Sequence, residues 1–311
     1  MVKQAYLLAA RAIRPLMGIP FPSRWRAFAL LANNKRVNSF WHDQPLIWTK
    51  SKTTGFEVPC DMSVFSGRIA WFFRRWYEIE TESVLRTLLK NGGNFVDVGG
   101  NVGMASLVAY SAIGSSGKIL AFEPNPKVAA IYRATMDRNG ISNYSLVEAA
   151  VGGERKTTEM FVPKENHGEA HVGSDCSGRA GEAISIAMTD GSELDQLSSV
   201  DLIKIDVEGF ELTVLKALQE YIARDHPPIV CEVISDRLWQ AGVTTGQLLA
   251  FFGSIGYLGF EIALEDVSLT RQRAKLLPLA EKNGAFSCNA LFVHGRDVGD
   301  ILSRTYEDLP R

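Results

Sequence analysis

The sequence has few cysteines, and none is placed for a metal site or a disulfide framework. Its four cysteines lie far apart and form no C-x-x-C pair: Cys60, Cys176, Cys231 and Cys288. This spacing argues against a zinc ribbon and against a small disulfide-stapled fold, and it fits a reducing compartment such as the cytoplasm.

The sequence also lacks long apolar runs and an excess of charge of one sign. No apolar segment approaches the ~20 residues that a membrane-spanning helix needs. Arg11 and Arg14 interrupt what would be the apolar region of a secretory signal, so we expect none. The net charge of −2 gives no indication of a nucleic-acid partner. With 311 residues, 46% of them hydrophobic and 22% charged, the chain is typical of a soluble protein with one large or two modest domains.

A glycine-rich stretch at residues 94–103 is the centre of the sequence, and it reads N-F-V-D-V-G-G-N-V-G. Its apolar residues predict a buried parallel strand, and Met104 to Ile113 reads as the helix that follows the turn. We expect Gly99 to permit the turn, Gly100 to let a ligand approach the backbone, and Gly103 to let the helix pack closely.

The spacing of this turn differs from that of a dinucleotide binder. A nicotinamide-binding turn has the pattern G-x-G-x-x-G, whereas this one is D-x-G-x-N-x-G with Asn101 in the middle. Asp97 would repel a pyrophosphate but attract the sulfonium and α-amino groups of S-adenosylmethionine. The plain alternative is a generic strand-turn-helix corner with a capping Asp97.

Two further acidic segments follow at the ends of apolar strands. Glu123 ends the second strand, where an acid can bind both ribose hydroxyls of a nucleoside; alternatively, it caps the next helix. Lys204, Asp206 and Glu208 alternate with apolar residues in D-L-I-K-I-D-V-E-G-F-E, which indicates a strand whose carboxyl end reaches a site. The structural alternative is a buried pair of Lys204 and Asp206 that holds loops together.

Strands alternate with helices over most of the chain, which predicts a mostly parallel sheet with helices on both faces. Two strands without a helix between them near the end predict an antiparallel addition at one edge. The predicted strands are 118–122, 144–151, 200–206, 228–233, 257–264 and 289–294, with a hairpin at 152–163. The predicted helices are 81–90 with Thr81 as N-cap, 127–139, 210–224 and 245–255.

Taken in order, these motifs resemble the FkbM family of S-adenosylmethionine-dependent methyltransferases. The resemblance covers roughly residues 75–295 and is carried by D-V-G-G-N-V-G at 97–103, A-F-E-P-N-P at 121–126, E-A-A-V-G at 148–152 and I-K-I-D-V-E-G-F-E at 203–211. It implies a class I (Rossmann-like) α/β fold with a seven-stranded sheet. It also implies O-methylation of a hydroxyl on a sugar, glycan, glycolipid or natural product.

The resemblance also implies roles for individual residues. The methionine part of the cofactor would be surrounded by Asp97, Gly99, Gly100, Asn101 and Gly103. Glu123 and Pro124 would lie at the ribose, Glu148 and Ala149 near the adenine, and Asp206 and Glu208 near the transferred methyl group. The family commonly has alanine where this chain has Gly100.

A hydroxyl is a poor nucleophile, so a general base or a metal should assist the transfer. Candidate bases are Asp206, Glu208, Glu232, His167 and His171, although each histidine alone could be an ordinary polar loop residue. We expect no metal, because no second acid cluster near Asp206 is evident from the sequence. The alternatives are a non-catalytic scaffold with the cofactor fold and, in another class, an NAD-dependent oxidoreductase.

The first residues form a distinct basic segment. Residues 1–42 contain seven basic residues and no acid. The apolar and basic residues between positions 7 and 14 have roughly helical spacing, and Pro15, Pro20 and Pro22 follow them. The segment is either a helical appendage packed on the main domain or a peripheral contact with an anionic membrane. We therefore divide the chain into an N-terminal extension and cover at 1–75, the methyltransferase-like domain at 76–297 and a tail at 298–311.

Overall fold

The computed structural model describes residues 2–17, 19, 24–33, 39–41, 44–164, 169–173, 180–268, 270–279 and 287–310. The N-terminal part contains α1 (Val2–Met17), α2 (Arg24–Ala32), β1 (Ile47–Lys50), β2 (Glu57–Cys60), α3 (Phe65–Phe73) and α4 (Ile79–Leu88). The central part contains β3 (Asn94–Val98), α5 (Met104–Ile113), β4 (Lys118–Phe122), α6 (Pro126–Arg138), β5 (Tyr144–Val147), β6 (Ala149–Val151), β7 (Lys156–Pro163), β8 (His171–Val172), β9 (Gly181–Thr189) and β10 (Leu202–Ile205). The last part contains α7 (Glu211–Ala217), α8 (Gln219–Asp225), β11 (Ile229–Ile234), α9 (Ser235–Gln240), α10 (Thr245–Ser254), β12 (Tyr257–Asp266), β13 (Arg271–Pro278), β14 (Ser287–His294), α11 (Val298–Ser303) and β15 (Leu309–Pro310).

The main sheet has nine strands in the order β15-β13-β12-β14-β11-β10-β3-β4-β5. The strands from β11 to β5 pair in parallel, whereas the pairings that involve β12 to β15 are antiparallel. The α/β class and the antiparallel edge are confirmed. The expected number of seven strands and the expected predominance of parallel pairs were wrong. The reason is that β13 folds back on β12 after a short turn, and β15 adds one more strand beyond it.

Helices cover both faces of this sheet, as expected. Phe95 of β3 packs in one hydrophobic cluster with α4 and α5, while the next residue, Val96, packs in another with α7, α8 and α10. Successive side chains of a strand point to opposite faces, so each central strand contributes to both clusters. Asp97 therefore lies on the same face as Phe95, beneath α5.

A smaller sheet with the order β6-β9-β7-β8 lies beside the main one. The expected hairpin at 152–163 was wrong, because β7 pairs along its length with β9, from Lys156 opposite Met188 to Pro163 opposite Gly181. The expected strand at 144–151 is divided at Glu148, where the chain passes from the main sheet to the smaller one.

The ends of several helices differ from those expected. Helix α4 begins at Ile79, so Thr81 is a buried residue within it and not its N-cap. The expected helix at 210–224 is two helices, α7 and α8, which meet at Leu218. By contrast, α5 and β4 have the expected limits.

The N-terminal part shares a hydrophobic core with the main domain. Met17, Phe28 and Trp41 belong to the same buried cluster as Phe95 of β3, so the expected boundary at 75/76 does not separate two cores. Residues 298–311 were expected to be a tail but contain α11 and β15, and Glu307 pairs with Arg86 at 2.6 Å. Among the described residues, no helix is both long and apolar enough to cross a bilayer.

Candidate active site

Two adjoining cavities of about 320 and 290 Å³ lie at the carboxyl ends of the parallel strands. Both are lined by Tyr77, Gly99, Asn101, Asn125 and Asp206. This edge is where the loops after β3, β4 and β10 meet, and it is the edge at which open α/β sheets bind ligands. These three motifs therefore share one crevice.

The glycine turn is held tightly between two strands. Gly99 has a left-handed backbone (φ 82°), and a Cβ atom on it would lie 1.9 Å from the carbonyl oxygen of Asp206. The N–H groups of Gly99 and Gly100 both donate to the carbonyl oxygen of Phe122, at 3.0 and 2.9 Å. The expectation that Gly99 permits a turn closed to side chains is confirmed, since only glycine fits here.

The other two glycines agree with the expectations in part, since Gly100 lines a cavity and Gly103 permits close packing of a helix. Gly100 lines the larger cavity, but a Cβ on it would face Tyr132 of α6, 3.1 Å away, and not a ligand. Gly103 (φ 88°) lines neither cavity, and a Cβ on it would lie 2.8 Å from the Met136 methyl carbon. Gly103 therefore allows α5 and α6 to approach each other, and its expected contact with the cofactor is not supported.

Asp97 is a fully buried carboxylate in the wall of the larger cavity. Its Oδ2 accepts a hydrogen bond from Ser106 Oγ at 2.6 Å, and Ser106 Oγ in turn accepts one from Tyr132 Oη at 2.7 Å. Its Oδ1 is buried without a hydrogen-bond partner in the described part of the chain. Burial raises the pKa of Asp97, against the opposing effects of Lys204 and Ser106. A buried carboxylate oxygen without a donor calls for a cationic or N–H-bearing ligand.

Lys204 brings a buried positive charge to the same place. In the β3–β10 pairing it lies opposite Asp97, and its Nζ contacts Asp206 Oδ2 at 2.8 Å. Burial alone would lower the pKa of Lys204. The surrounding carboxylates, first of all that of Asp206, outweigh this effect and raise the pKa above its usual value. The ion pair that we considered as a structural alternative is present, yet Asp206 also lines both cavities.

Glu123 is fixed at the end of β4 by two backbone hydrogen bonds. Its Oε2 accepts from the N–H of Asn101 at 2.9 Å, and its Oε1 accepts from the N–H of Asn125 at 2.8 Å. Burial raises the pKa of Glu123 to about 7. Each oxygen keeps a second lone pair, so the carboxylate can also accept two neighbouring hydroxyl groups. The alternative role as a helix cap was wrong, because Asn125 caps α6 by accepting from the N–H of Lys127.

Three carboxylates converge in the wall of the smaller cavity. Oxygen atoms of Asp206, Glu208 and Glu232 all lie within 4.8 Å of one another. Burial and the Asp206 charge raise the pKa of Glu208 to about 8, and burial, Asp206 and Glu208 raise the pKa of Glu232 to about 10. Arg237 Nε contacts Glu208 at 3.0 Å.

This cluster can share protons, or it can hold a hard divalent cation through carboxylate oxygen. The premise that Asp206 has no acid cluster near it was therefore wrong, while the absence of a metal stays a prediction. The sequence could not reveal the cluster, because Glu232 reaches Asp206 only through the pairing of β10 with β11.

Comparisons with known proteins agree with the arrangement of these motifs. The sequence profile described as the Methyltransferase FkbM domain matches residues 97–261, which is more than half of the chain and begins at Asp97 in β3. The chain belongs to the FkbM methyltransferase domain family.

One curated relative of this FkbM-family chain is Methyltransferase 1 of Beauveria bassiana (strain ARSEF 2860). It is 27% identical over 146 residues, which is 40% of the chain and 58% of the relative, so the match spans little more than half of that protein.

Two solved structures also match this chain. A methyltransferase FkbM from Methylobacillus flagellatus KT has 13% identity and a TM-score of 0.39, with 93% of this chain and 60% of that chain covered. A precorrin-6y C5,15-methyltransferase from Geobacter metallireducens GS-15 has 18% identity and a TM-score of 0.39, with 70% of this chain and 85% of that chain covered.

The remaining expected residues of this FkbM-family chain are divided between the cavities and the surface. Pro124, Ala149 and His171 line the smaller cavity. Glu148 is exposed, forms an ion pair with Arg133 and lines neither cavity, so the structure does not bring it to the expected adenine position. The reason is that Glu148 lies between β5 and β6, and Ala149 turns inward in its place. His167, an expected catalytic residue, lies outside the described residues.

Several residues of the site came from regions without a motif. Ser66 and Tyr77 line both cavities, and Trp76 lines the larger one. The neighbouring Trp71, Phe72 and Phe73 are buried and pack in the core. Asn125 could have been found from the sequence, since Asn before Pro at the start of a helix is a typical N-cap.

Proposed function

We propose that this protein is an S-adenosylmethionine-dependent methyltransferase of the cytoplasm that methylates a hydroxyl group on a sugar, glycan, glycolipid or natural product. Family membership supports methyl transfer. One structural observation carries the choice of cofactor: Asp97 Oδ1 is buried in a cavity wall and has no donor in the described part of the chain.

The residues at the cavities fit the three parts of that cofactor. Asp97 would bind the amino-bearing, cationic part, Glu123 the ribose hydroxyls, and Ala149 would lie beside the adenine. Both acids are held in place without the ligand, Asp97 by Ser106 and Glu123 by two backbone N–H groups. When it is bound, the cofactor supplies a methyl group already activated on a sulfonium.

Asp206 is the residue that we assign to the acceptor. It lies where the two cavities meet, so a group beside it can contact ligands in both. Burial and the neighbouring carboxylates raise the pKa values of Glu208 and Glu232, whereas Asp206 Oδ2 is paired with the ammonium of Lys204 at 2.8 Å. Asp206 can therefore orient a hydroxyl group and take its proton, with Glu208 shaping the same pocket.

The alternatives have less support. A nicotinamide dinucleotide would place its pyrophosphate at the glycine turn, close to the buried carboxylate of Asp97. A non-catalytic scaffold would have no need of a buried carboxylate without a donor or of carboxylates with mutually raised pKa values. Neither alternative has an observation that favours it.

The test is transfer of labelled methyl from S-adenosylmethionine to glycan and lipid fractions of the protein's own host. Asp206→Asn should lower turnover about 10²-fold or more while cofactor affinity remains nearly unchanged, because shape is kept and the proton acceptor is lost. Asp137→Asn, on the exposed side of α6, is the matched control and should retain full activity.

The product must be an O-methyl ether. An N-methylated product would contradict the proposed acceptor class, and full turnover by Asp206→Asn would contradict the assignment of Asp206. Chelator should have little effect; a loss of activity that magnesium restores would show that the carboxylate cluster works by holding a metal.

A further inference from the structure

Helix α1 is apolar on its outer face as well as on its inner one. Its inner face packs through Ala10 and Met17, both fully buried. Its outer face presents Leu8 and Leu16 to solvent, together with exposed small residues at positions 5, 9 and 12. A surface helix of a globular protein normally exposes charged or polar residues on this side.

The exposed apolar residues continue beyond α1. Helix α2 packs inward through Phe28, Leu30 faces outward, and Ile19 lies between the two helices; the ring of Trp25 packs on that of Phe73 (4.7 Å between centroids) and is partly exposed. We call these five residues the N-terminal apolar surface: Leu8 (64% exposed), Leu16 (57%), Ile19 (58%), Trp25 (47%) and Leu30 (73%). Single exposed leucines are common, but four large apolar residues exposed on two helices and a fifth between them are more than scatter predicts.

The charged residues of these two helices all have one sign. Residues 1–42 contain seven basic residues and no acid. Arg11 and Arg26 are exposed on the same two helices. Arg14 is the exception, because it turns inward and donates to the carbonyl oxygen of Trp71 at 2.8 Å.

Helix α2, which carries part of the N-terminal apolar surface, packs on α3, and the first residue of α3 lines the smaller cavity. The ring of Phe28 on α2 contacts that of Phe65, 5.9 Å between centroids, and Phe65 lines the smaller cavity. Phe65 and Tyr77, both of which line this cavity, are each 40% exposed. A partner bound to α1 and α2 would therefore be close to any acceptor that enters the cavity.

We propose that the N-terminal apolar surface docks on an anionic lipid bilayer, with the cavity entrance beside the lipid headgroups. Leucine and tryptophan side chains enter the boundary of the acyl chains, while arginines bind anionic headgroups, and this combination is typical of helices that lie in a membrane interface. A second copy of the chain would bring two cationic surfaces together, so the charge favours lipid over self-association. This inference goes beyond the proposed function and does not depend on it.

The experiment is sedimentation of the full chain with phosphatidylcholine vesicles, with and without phosphatidylglycerol. The protein should bind the anionic vesicles, and salt should weaken binding. The double variant Leu8→Ser and Leu30→Ser should bind about tenfold more weakly or worse, because two apolar side chains no longer insert. Leu302→Ser on α11 is the matched control, since Leu302 is also 48% exposed.

Charge is tested in the same assay. Arg11→Gln with Arg26→Gln should weaken binding about 20-fold, since each basic residue near an anionic surface contributes about fivefold. Arg296→Gln, exposed after β14, should change nothing.

Three results would overturn the proposal. The first is equal binding to vesicles with and without phosphatidylglycerol. The second is unchanged vesicle binding by the double variant Leu8→Ser and Leu30→Ser. The third is concentration-dependent self-association that this double variant abolishes, in a protein that does not bind vesicles. Circular dichroism of each variant separates loss of binding from loss of the fold.

Discussion

At the scale of single residues, this protein places many charges where an ordinary core has none. Asp97, Glu123 and Lys204 are buried, and the sequence revealed them because charges inside apolar strands are unusual. Glu232 was also a candidate from the sequence, but its proximity to Asp206 across paired strands and the contact of Arg237 with Glu208 could not be found in this way. Glu82 is another buried charge, and its position inside α4 carries no sequence motif.

Glu82 predicts how stability depends on pH. Burial raises the pKa of Glu82 from 4.5 to about 7 in the folded protein. Between these values the folded state binds more protons than the unfolded state, so the free energy of unfolding falls as pH rises and is lowest above about pH 7.

The substitution Glu82→Gln imitates the protonated acid at every pH. It should raise the free energy of unfolding by about 1–3 kcal/mol near pH 8 and by much less near pH 5. Urea denaturation at both pH values measures this, with the exposed Glu220→Gln as control. An equal effect of Glu82→Gln at the two pH values would refute the assigned cause.

At the scale of elements, periodicity and turn residues predicted the central strands and helices but not the edges. Helix α5 and strand β4 have their expected limits because an apolar segment and glycines mark them clearly. Strand β13 was missed because it reads R-Q-R-A-K-L-L-P, in which polar residues face solvent near the edge of the sheet. The smaller sheet was missed because its strand pairs are distant in sequence, and such pairing leaves no local pattern.

The turn after β3 should be intolerant of any side chain. Gly99→Ala adds left-handed strain and a Cβ that meets the Asp206 carbonyl oxygen at 1.9 Å, so we expect a loss of about 3 kcal/mol or more in the free energy of unfolding.

Gly140→Ala is the matched control for this prediction. Gly140 is also left-handed (φ 65°), but its Cβ would meet nothing within 4 Å, so only the backbone strain of about 1 kcal/mol should remain. Equal losses in the two variants, measured by urea denaturation, would show that close packing at Gly99 is unimportant.

At the scale of the whole molecule, the site is built from three parts of the chain. The parallel strands supply the charged residues, the smaller sheet supplies one wall through Met160 and His171, and the N-terminal part supplies Ser66 and Tyr77. The sequence predicted the first part and, through Ala149 and His171, a little of the second, because the rest contributes by packing and not by a recognisable pattern. The shared hydrophobic cluster explains why the N-terminal part behaves as a wall of the site and not as a separate domain.

Isothermal titration calorimetry with S-adenosylmethionine tests the central claim most directly. The wild-type protein should bind this cofactor in the ~micromolar range and should not bind NAD. Asp97→Asn should weaken binding about tenfold or more, because the neutral amide loses a charge-assisted contact with the cofactor, whereas Asp137→Asn should bind normally. Binding of NAD in place of S-adenosylmethionine, or unchanged affinity in a folded Asp97→Asn protein, would contradict the account.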